Sequence, residues 1–465
     1  MSGKQIRTGA LVIVLVACVP AMRAQDTADA PKPAMAGDNA ASLQFGASTE
    51  IPDTRPLAGV QTLSLGSPAA SHSFLLPSFG VTSAIQFTPG NNAAGNSSPE
   101  STTFLSGRLA LNRISGRSEL LLDYLAGGGF SSHSSQSSSL IQSLDLSESI
   151  RGGRWSLTLG EQFSYLPASS FNFGGLGGLG NFGVNLAGVG TTPGFRQDLI
   201  PNQSILTSLA ARISSATMAQ TTYALGYRSS LSFFGTYGTL HFTDTGFQNS
   251  SSVNAGAGYN YLLSPLNSMS VSYGFSRFTF ANQPFRADSH SVQFSFARRI
   301  TGRLSFQIGA GPDVQVYQAQ LVGPGTLLSW GLNTGLSYQL RDWLAGFGYT
   351  HGLSGGSGVF SGAETDVFSG HLNRRFGTWQ TGLVMGYARN RSLQQTAINV
   401  TAPQSWFGGA QINRQFAGFG NLFLFYNASR QLGLSGICPP PACRTSLTQT
   451  VSIGYNWGFR PIILQ

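Results

Sequence analysis

The feature that most constrains this chain is an alternation of apolar residues with small or polar ones, repeated in stretches of ten to fourteen residues. In residues 451–459, every odd position is aliphatic or aromatic, and every even position is Ser, Gly or Asn. Residues 269–275 follow the same rule, and so do residues 155–159, with Thr158 at one of the polar positions. A two-residue period is that of a β-strand with two different faces, and clusters of Gly, Ser, Asn and Pro separate the stretches as turns do. The pattern predicts an antiparallel all-β fold.

The composition supports that fold class and excludes others. Of the 465 residues only 10% are charged, against about a quarter in an ordinary soluble domain. A hydrophobic content of 41% and an aromatic content of 11% argue against a disordered chain. The 59 glycines disfavour long helices. Outside the N-terminus, no run approaches the roughly 20 apolar residues of a membrane-spanning helix.

The chemistry of the polar face decides between a soluble and a membrane β-protein. In a soluble sandwich the apolar face forms the core, and the polar face carries Lys and Glu for solubility. Here the polar face carries Ser, Gly, Asn and Gln. This inversion predicts that the apolar face contacts lipid and that the polar face lines the water-filled lumen of a transmembrane β-barrel. Only a closed sheet satisfies its backbone hydrogen bonds in hydrocarbon.

Short and long connections alternate along the chain, as in barrels with tight turns on one side of the membrane and longer loops on the other. The predicted short turns are 114–117, 151–154, 214–217, 264–267, 299–303, 341–342, 376–378 and 417–420. The predicted long connections are 88–102, 127–138, 166–202, 235–251, 281–288, 319–326, 351–365, 391–404 and 432–446. Seventeen connections imply 18 strands, an even number with both termini on the turn side.

Strand register predicts where charges lie. A two-residue hairpin loop at 115–116 places Arg108 opposite Asp123 on the polar face and Leu109 opposite Leu122 on the apolar face. The same register pairs two further polar-face residues, namely Asn112 and Glu119.

Two other hairpins give a second set of expectations. A three-residue loop at 300–302 places Phe296 opposite Phe306. The register through 151–154 places Glu161 on the apolar face, and we expect it near the outer rim.

The chain divides into four predicted segments. Residues 1–24 have a basic start and an apolar stretch, which is typical of a cleavable export signal. Residues 25–77 are rich in Ala and Pro and form a flexible periplasmic segment. Residues 78–459 form the barrel, and residues 460–465 are a C-terminal tail.

The three cysteines allow two modifications. Cys18 ends a Leu-Val-Ala-Cys sequence, so lipidation at Cys18 is an alternative to simple cleavage of the signal. Cys438 and Cys443 lie in the last long loop without a nearby histidine. In an exported protein a local disulfide is the favoured interpretation over a metal site, and free thiols are the alternative because the ring would be short and rich in proline.

Two groups of residues are candidates for controlling passage through the barrel. The first is a set of predicted lumen-facing charges: Arg108, Glu119, Asp123, Arg228 and Arg374. They either create a field that selects solutes or pair internally and stiffen the wall, and we favour pairing. The second is the apolar content of the longest loop, 166–202: Phe171, Phe173, Leu176, Leu179 and Phe182. This loop either forms an apolar constriction or is a mobile Gly-rich flap.

The sequence does not indicate an enzyme or a nucleic-acid-binding protein. The six histidines are not at metal-ligand spacing, and no serine stands in a Gly-x-Ser-x-Gly context with a readable base and acid. The glycine clusters lack the Lys-Ser/Thr ending of a phosphate-binding loop. Arginines are scattered rather than clustered, so we expect no cofactor and no nucleic acid.

Over roughly residues 79–459 the chain resembles a Gram-negative outer-membrane β-barrel of the porin type. The resemblance rests on the leader, the alternation, the loop lengths and a closing strand, 450–459, that ends in an aromatic residue. It implies an outer-membrane location, a third loop that narrows the lumen, and assembly machinery that recognises the terminal aromatic. This sequence departs from the pattern by continuing to Gln465.

The predicted function is a passive channel for small polar solutes, with membrane lipid and those solutes as its partners. The alternative is a barrel that exports or anchors a surface polymer or binds a partner through its loops, with residues 25–77 docking a periplasmic protein. A third interpretation is a secreted soluble β-protein such as an adhesin.

Overall fold

The computed structural model of the chain is built from β-strands and their connections. The residues that it describes are 73–87, 99–131, 139–166, 211–243, 247–281, 285–319, 323–340, 342–354, 362–393, 404–416, 420–432 and 447–464. Among these residues there is no helix with the length and apolarity needed to cross a membrane.

The strands in chain order are β1 (Ser73–Phe87), β2 (Glu100–Ser115), β3 (Ser118–Ser131), β4 (Ser139–Arg151), β5 (Trp155–Leu166), β6 (Arg212–Ala224), β7 (Ser229–Phe242), β8 (Ser250–Ser264), β9 (Asn267–Phe280), β10 (Arg286–Arg299), β11 (Leu304–Ala319), β12 (Gly323–Gln339), β13 (Trp343–Ser354), β14 (Ala363–Phe376), β15 (Trp379–Ser392), β16 (Gln404–Gln415), β17 (Gly420–Leu432), β18 (Thr448–Gly458) and β19 (Ile462–Leu464).

Strands β1 to β18 form a closed antiparallel barrel. Each strand pairs with its neighbours in the chain, and β1 pairs with β18 on its other side. Val81 on β1, for example, lies opposite Leu105 on β2 and Tyr455 on β18. Closure leaves no unpaired sheet edge, which is the condition for a β-sheet to lie in hydrocarbon. The predicted fold, an antiparallel β-barrel of eighteen strands, is confirmed.

The closing seam extends beyond the last long strand. Strand pairing is interrupted near Pro461, which has no N–H to donate to a neighbouring strand. Strand β19 then resumes pairing with the start of β1, with Leu464 opposite Ser73 and Ile462 opposite Leu75. The sheet therefore begins at Ser73, earlier than the predicted residue 78, and it includes part of the predicted C-terminal tail.

One predicted turn is wrong. Residues 214–217 lie inside β6, and the chain reverses direction at residues 225–228 instead. The Ser-rich run looks like a turn, but its hydroxyls belong to the barrel wall. The actual turn contains Leu225 and Tyr227, which are residue types typical of strands, so the sequence there resembles a strand. In the structure the Tyr227 side chain is fully exposed. The described residues of the other predicted short turns lie at the junctions of consecutive strands as predicted, whereas residues 341 and 417–419 lie outside the described residues.

The predicted register of the first hairpin is also wrong. Its loop consists of Gly116 and Arg117, one residue later than the predicted 115–116. Gly116 has φ 58°, in the left-handed region that glycine adopts without steric cost. Leu109 consequently lies opposite Tyr124.

The β10–β11 hairpin has the same kind of error. The Ile300 N–H donates to the Leu304 carbonyl at 2.8 Å, so the loop is 301–303 rather than 300–302. Phe296 then lies opposite Ile308. In both hairpins each residue's partner moves by two positions, and an even shift leaves every side chain on its predicted face.

The two faces of the barrel differ in the way that the alternation predicts. On β9 the outward side chains of Met269, Val271 and Tyr273 are 42%, 36% and 46% exposed, whereas the three serines within 268–272 are buried. The exposed large hydrophobic side chains thus project outward. The apolar faces surround the sheet, and the small polar side chains lie inside it.

Candidate functional site: the inner wall of the barrel

The inner wall carries hydroxyl and amide side chains along nearly its whole circumference. They come from strands throughout the barrel, because each strand contributes every second residue to the inside. Examples that are nearly fully buried are Thr82, Asn112, Ser143, Ser147, Gln162, Ser164, Ser232, Ser252, Asn260, Ser272, Ser289, Gln315, Asn390, Asn427, Thr450, Ser452 and Asn456. The wall therefore offers both hydrogen-bond donors and acceptors with little formal charge.

Several of these wall groups have side-chain atoms that no protein group satisfies within the described part of the chain. They include Asn112 Oδ1, Gln162 Oε1, Gln315 Oε1, Asn390 Nδ2 and Thr450 Oγ1. Leaving a buried polar atom without a partner costs about 1–3 kcal/mol, so such atoms in a dry interior would weaken the fold. In the wall of an aqueous passage, water or a polar solute supplies the missing hydrogen bond.

An ion pair joins two predicted lumen-facing residues, Arg108 and Asp123. Arg108 Nε donates to Asp123 Oδ1 at 2.6 Å, and Arg108 Nη2 donates to the second carboxylate oxygen. The pair is diagonal, because Arg108 lies directly opposite Leu125 and Asp123 opposite Ala110. Bidentate geometry holds both side chains against the wall, as the internal-pairing interpretation expects.

Glu119 lies on the same inner face, close to the turn side. Arg151 Nη2 is 3.4 Å from Glu119 Oε2. The Arg151 side chain is 60% exposed, and exposed ion pairs contribute at most about 1 kcal/mol. This pair therefore stabilises the entrance of the barrel only slightly.

Two of the predicted lumen-facing charges are elsewhere. Arg228 is exposed in the β6–β7 turn. Arg374 is on the outer face, where its guanidinium carbon is 4.4 Å from the Trp343 ring centre and 5.6 Å from that of Phe376. Residues two apart share a face, so the aromatic residue at 376 was a signal that Arg374 points outward. Arg414 contacts its neighbours in the same way as Arg374.

Two inner-wall carboxylates were missed from the sequence. Asp145 on β4 lies directly opposite both Asp123 and Gln162. Asp313 on β11 is buried and accepts hydrogen bonds from Ser289 Oγ at 2.5 Å and from a neighbouring glutamine. Both stand in alternating sequence, between outward apolar residues, so strand parity alone would have placed them inside.

The loop end of the inner wall carries an apolar patch. Phe278, Phe280, Phe285 and Ala287 pack together, and Tyr317 contacts the group. The inner wall is therefore partly aromatic at this end of the barrel. The predicted constriction residues Phe171, Phe173, Leu176, Leu179 and Phe182 and the predicted disulfide cysteines Cys438 and Cys443 lie outside the described residues.

Glu161 lies on the outer face, halfway along β5, and not at the rim where we expected it. Its carboxylate accepts hydrogen bonds from Ser215 Oγ at 3.1 Å and from the Thr217 hydroxyl. Both donors are outward residues of the adjacent strand, and Thr217 is directly opposite Glu161. The sheet thus supplies hydrogen bonds that lipid cannot.

Ion pairs mark the outer surface beyond the apolar belt on the loop side. On β9 and β10, Arg277 Nε is 2.8 Å from Asp288 Oδ1, and Arg286 contacts the other oxygen. These residues follow the apolar outward positions Met269, Val271 and Tyr273 of β9, on the loop side. Burial acts to raise the pKa of Asp288, but hydrogen bonds from Arg286 and Arg277 outweigh it and lower the pKa below its ordinary value.

A second group of charges lies at the same end of β13 to β15. His351 Nδ1 is 2.7 Å from Asp366 Oδ1, and the His351 ring stacks on Trp330 with centroids 4.2 Å apart. Arg391 Nη1 is 3.1 Å from Glu364 Oε2. Among the described residues no group of three or more His, Cys, Asp or Glu side chains has the arrangement of a metal site.

Comparisons with known proteins find distant structural likeness only. Neither a protein-family model nor a curated relative matches the sequence. Pseudomonas aeruginosa OpdQ is 12% identical, with a TM-score of 0.42 over 84% of this chain and 99% of that one. The Pseudomonas aeruginosa outer membrane protein opdK is 9% identical, with a TM-score of 0.43 over 83% and 98%. Acinetobacter baumannii OccAB4 is 9% identical, with a TM-score of 0.42 over 84% and 99%.

Proposed function

We propose that this protein is an outer-membrane channel through which small polar solutes diffuse passively. The observation that carries the proposal is the division of the sheet into two faces. Exposed large apolar side chains point outward, while the inner wall carries many hydroxyls and amides, beside buried apolar side chains such as Phe104 and Leu125, and some of its hydrogen-bonding atoms are not satisfied by the described protein. A barrel of about 16 to 18 strands is wide enough to enclose water rather than only side chains.

The wall chemistry determines how a solute would cross. A polar solute must give up part of its hydration, and closely spaced donors and acceptors on the wall replace those hydrogen bonds along the path. Because no single site binds strongly, the solute leaves as readily as it enters, and its own concentration gradient drives net movement. The ion pair of Arg108 and Asp123 neutralises itself, so this pair adds no net charge to the wall.

The location and assembly of the protein belong to the same proposal. We infer that residues 1–24 direct export, that the barrel inserts in the outer membrane with its long loops outside, and that the barrel-assembly machinery inserts it. Residues 25–77 would remain on the periplasmic side, where a partner could bind them. Cell fractionation with detergent extraction tests the location: release by a salt wash would contradict it and favour a soluble β-protein.

Reconstitution tests the channel directly. Purified protein, shown to be folded by its heat-dependent mobility on a gel, is added to planar bilayers and to liposomes. We expect stepwise conductance, and we expect liposomes to swell faster with small sugars than with large ones. Folded protein that gives neither conductance nor swelling would overturn the proposal. Heat-unfolded protein at the same concentration is the control for leakage caused by added polypeptide.

A further inference from the structure

Asp145 is an inner-wall carboxylate whose hydrogen bonding is incomplete within the described part of the chain. Asp123 is directly opposite it on β3, and Gln162 is directly opposite it on β5. Like charges directly opposite each other in a sheet repel. Arg108 donates hydrogen bonds to both oxygens of Asp123, and its positive charge offsets the repulsion at Asp145 only in part. With both carboxyl groups ionised, the three charged residues sum to a charge of −1.

The atoms left without a protein partner at this position are all acceptors. Asp145 Oδ1 is buried and has no hydrogen-bond partner in the described protein. The side-chain amide of Gln162 hydrogen-bonds to Asp145, while Gln162 Oε1 has no partner, although this side chain is only 9% exposed. Asn112 Oδ1, in the next row of the wall, is also without a partner. Acceptors with a net negative charge attract donors and cations.

We infer that Asp145 and Gln162 form a binding position for the cationic group of a permeating solute, either a small metal cation or a primary ammonium. The inference rests on the proposed channel function and names the charge class that the channel prefers. An ammonium group has three donors and no acceptor, so it matches the two free acceptor oxygens. An anion at this position would be repelled by Asp145, and the nearby Arg108 is already paired with Asp123.

Another inner-wall carboxylate, Asp313 on β11, does not share this property. Asp313 is also buried in the inner wall. Its two oxygens, however, accept hydrogen bonds from Ser289 at 2.5 Å and from Gln315 at 3.3 Å. The wall itself therefore supplies hydrogen bonds to both oxygens of Asp313. This makes Asp313→Asn a matched control, since it removes the same charge from the same lumen. Glu161→Gln is a second control, because it removes a carboxylate from the outer face.

The first experiment measures ion selectivity. Reversal potentials are recorded across bilayers in a KCl gradient at about pH 8, where carboxyl groups are ionised. We expect the wild-type channel to prefer potassium over chloride, and we expect Asp145→Asn to lower that permeability ratio about threefold, as for one fixed charge near a hydrated ion. Asp313→Asn and Glu161→Gln should change it much less. Asp145→Glu keeps the charge and should retain the selectivity.

The second experiment separates metal cations from ammonium groups. Glucosamine and N-acetylglucosamine have similar size, but only glucosamine carries an ammonium. We expect glucosamine to interrupt the potassium current in the wild type, and we expect Gln162→Leu to shorten those interruptions while ion selectivity persists. Potassium selectivity without glucosamine interruptions would assign the position to metal cations alone.

The outcomes distinguish this inference from the channel proposal. A conducting wild type with unchanged selectivity in Asp145→Asn overturns the inference alone, as does an equal loss in Asp313→Asn, which would mean a general charge effect. If Asp145→Asn fails to show the heat-dependent gel shift, the other two variants test the inference instead. Asp145→Glu should retain the ion selectivity, and Gln162→Leu should shorten the glucosamine interruptions; the opposite results would overturn the inference. Folded wild type without conductance overturns both proposals.

Discussion

Two carboxylates in neighbouring strands, Glu161 on the outer face and Asp145 on the inner face, differ in how they are satisfied. Glu161 accepts hydrogen bonds from Ser215 and Thr217. Asp145 keeps an oxygen with no partner in the described protein. In hydrocarbon only the protein can supply donors, whereas in an aqueous passage solvent and solutes supply them. At these two positions, the completeness of hydrogen bonding agrees with the medium that each face is expected to meet.

The largest expected effect comes from placing a charge on either side of one strand. Val271→Arg puts a guanidinium on the outer face in the middle of β9, and we expect it to lower the free energy of unfolding by about 3 kcal/mol. Ser272→Arg, one residue later, points inward, where water solvates the charge. It should leave stability nearly unchanged and reduce conductance. Equal destabilisation by both, measured by urea unfolding in lipid, would contradict the assignment of faces.

Removing the donors to Glu161 should have the next largest effect. In the double variant Ser215→Ala/Thr217→Ala the carboxylate faces lipid without its hydrogen bonds, and we expect a loss of about 2 kcal/mol in unfolding free energy.

The matched control is Ser305→Ala/Ser337→Ala, which removes two inner-wall hydroxyls that lie 2.8 Å apart. Because water reaches that wall, we expect its cost to stay below about 1 kcal/mol. A control that costs as much as the outer pair would mean that the inner wall is dry.

Arg374 provides a test of position rather than of charge. Arg374→Gln removes the contact with the Trp343 ring at 4.4 Å, and we expect it to lower the unfolding free energy by about 1 kcal/mol. Because the side chain is outside the lumen, ion selectivity should not change. A shift in reversal potential would contradict this position and would mean that Arg374 faces the lumen.

The smallest effect concerns the ion pairs of Asp288 beyond the apolar belt. Since the pKa of Asp288 is lowered in the folded state, its pairs stabilise the protein above the ordinary aspartate pKa, and this contribution is lost as the pH falls through the lowered value. The partners Arg277 and Arg286 are 39% and 38% exposed, so screening limits the contribution to about 0.5 kcal/mol. Asp288→Asn should therefore differ from wild type at neutral pH and converge with it in acid. A difference that grows in acid would contradict the sign.

The sequence was sufficient to predict the architecture, because the two-residue period and the alternation of connection lengths are properties of whole segments. Exact register was harder. Placing the first hairpin correctly required reading Gly116 as the first loop residue, a position that glycine occupies in common two-residue turns. The β6–β7 turn was missed because Leu225 and Tyr227 carry strand-like side chains into a loop.

The site was only partly predictable. Arg108 and Asp123 were placed on one face because an even register error does not exchange faces. Arg228 and Arg374 were predicted to face the lumen, but Arg228 lies in a turn and the alternation of β14 places Arg374 on the outer face. The incomplete hydrogen bonding of Asp145 could not be predicted from the sequence. It depends on Arg108 donating its hydrogen bonds to Asp123 on the adjacent strand, and side-chain pairing of this kind is not specified by strand parity.

The seam between β1 and β18, lengthened by the pairing of β19 with residues 73–75, joins the parts of the barrel that are farthest apart in the chain. Contacts between distant segments form slowly, and until they form each of the two border strands offers its unpaired N–H and C=O groups to any other chain. Residues 449–464 therefore close the barrel. We expect a polypeptide that ends before them to keep two unpaired edge strands, which can pair with other chains.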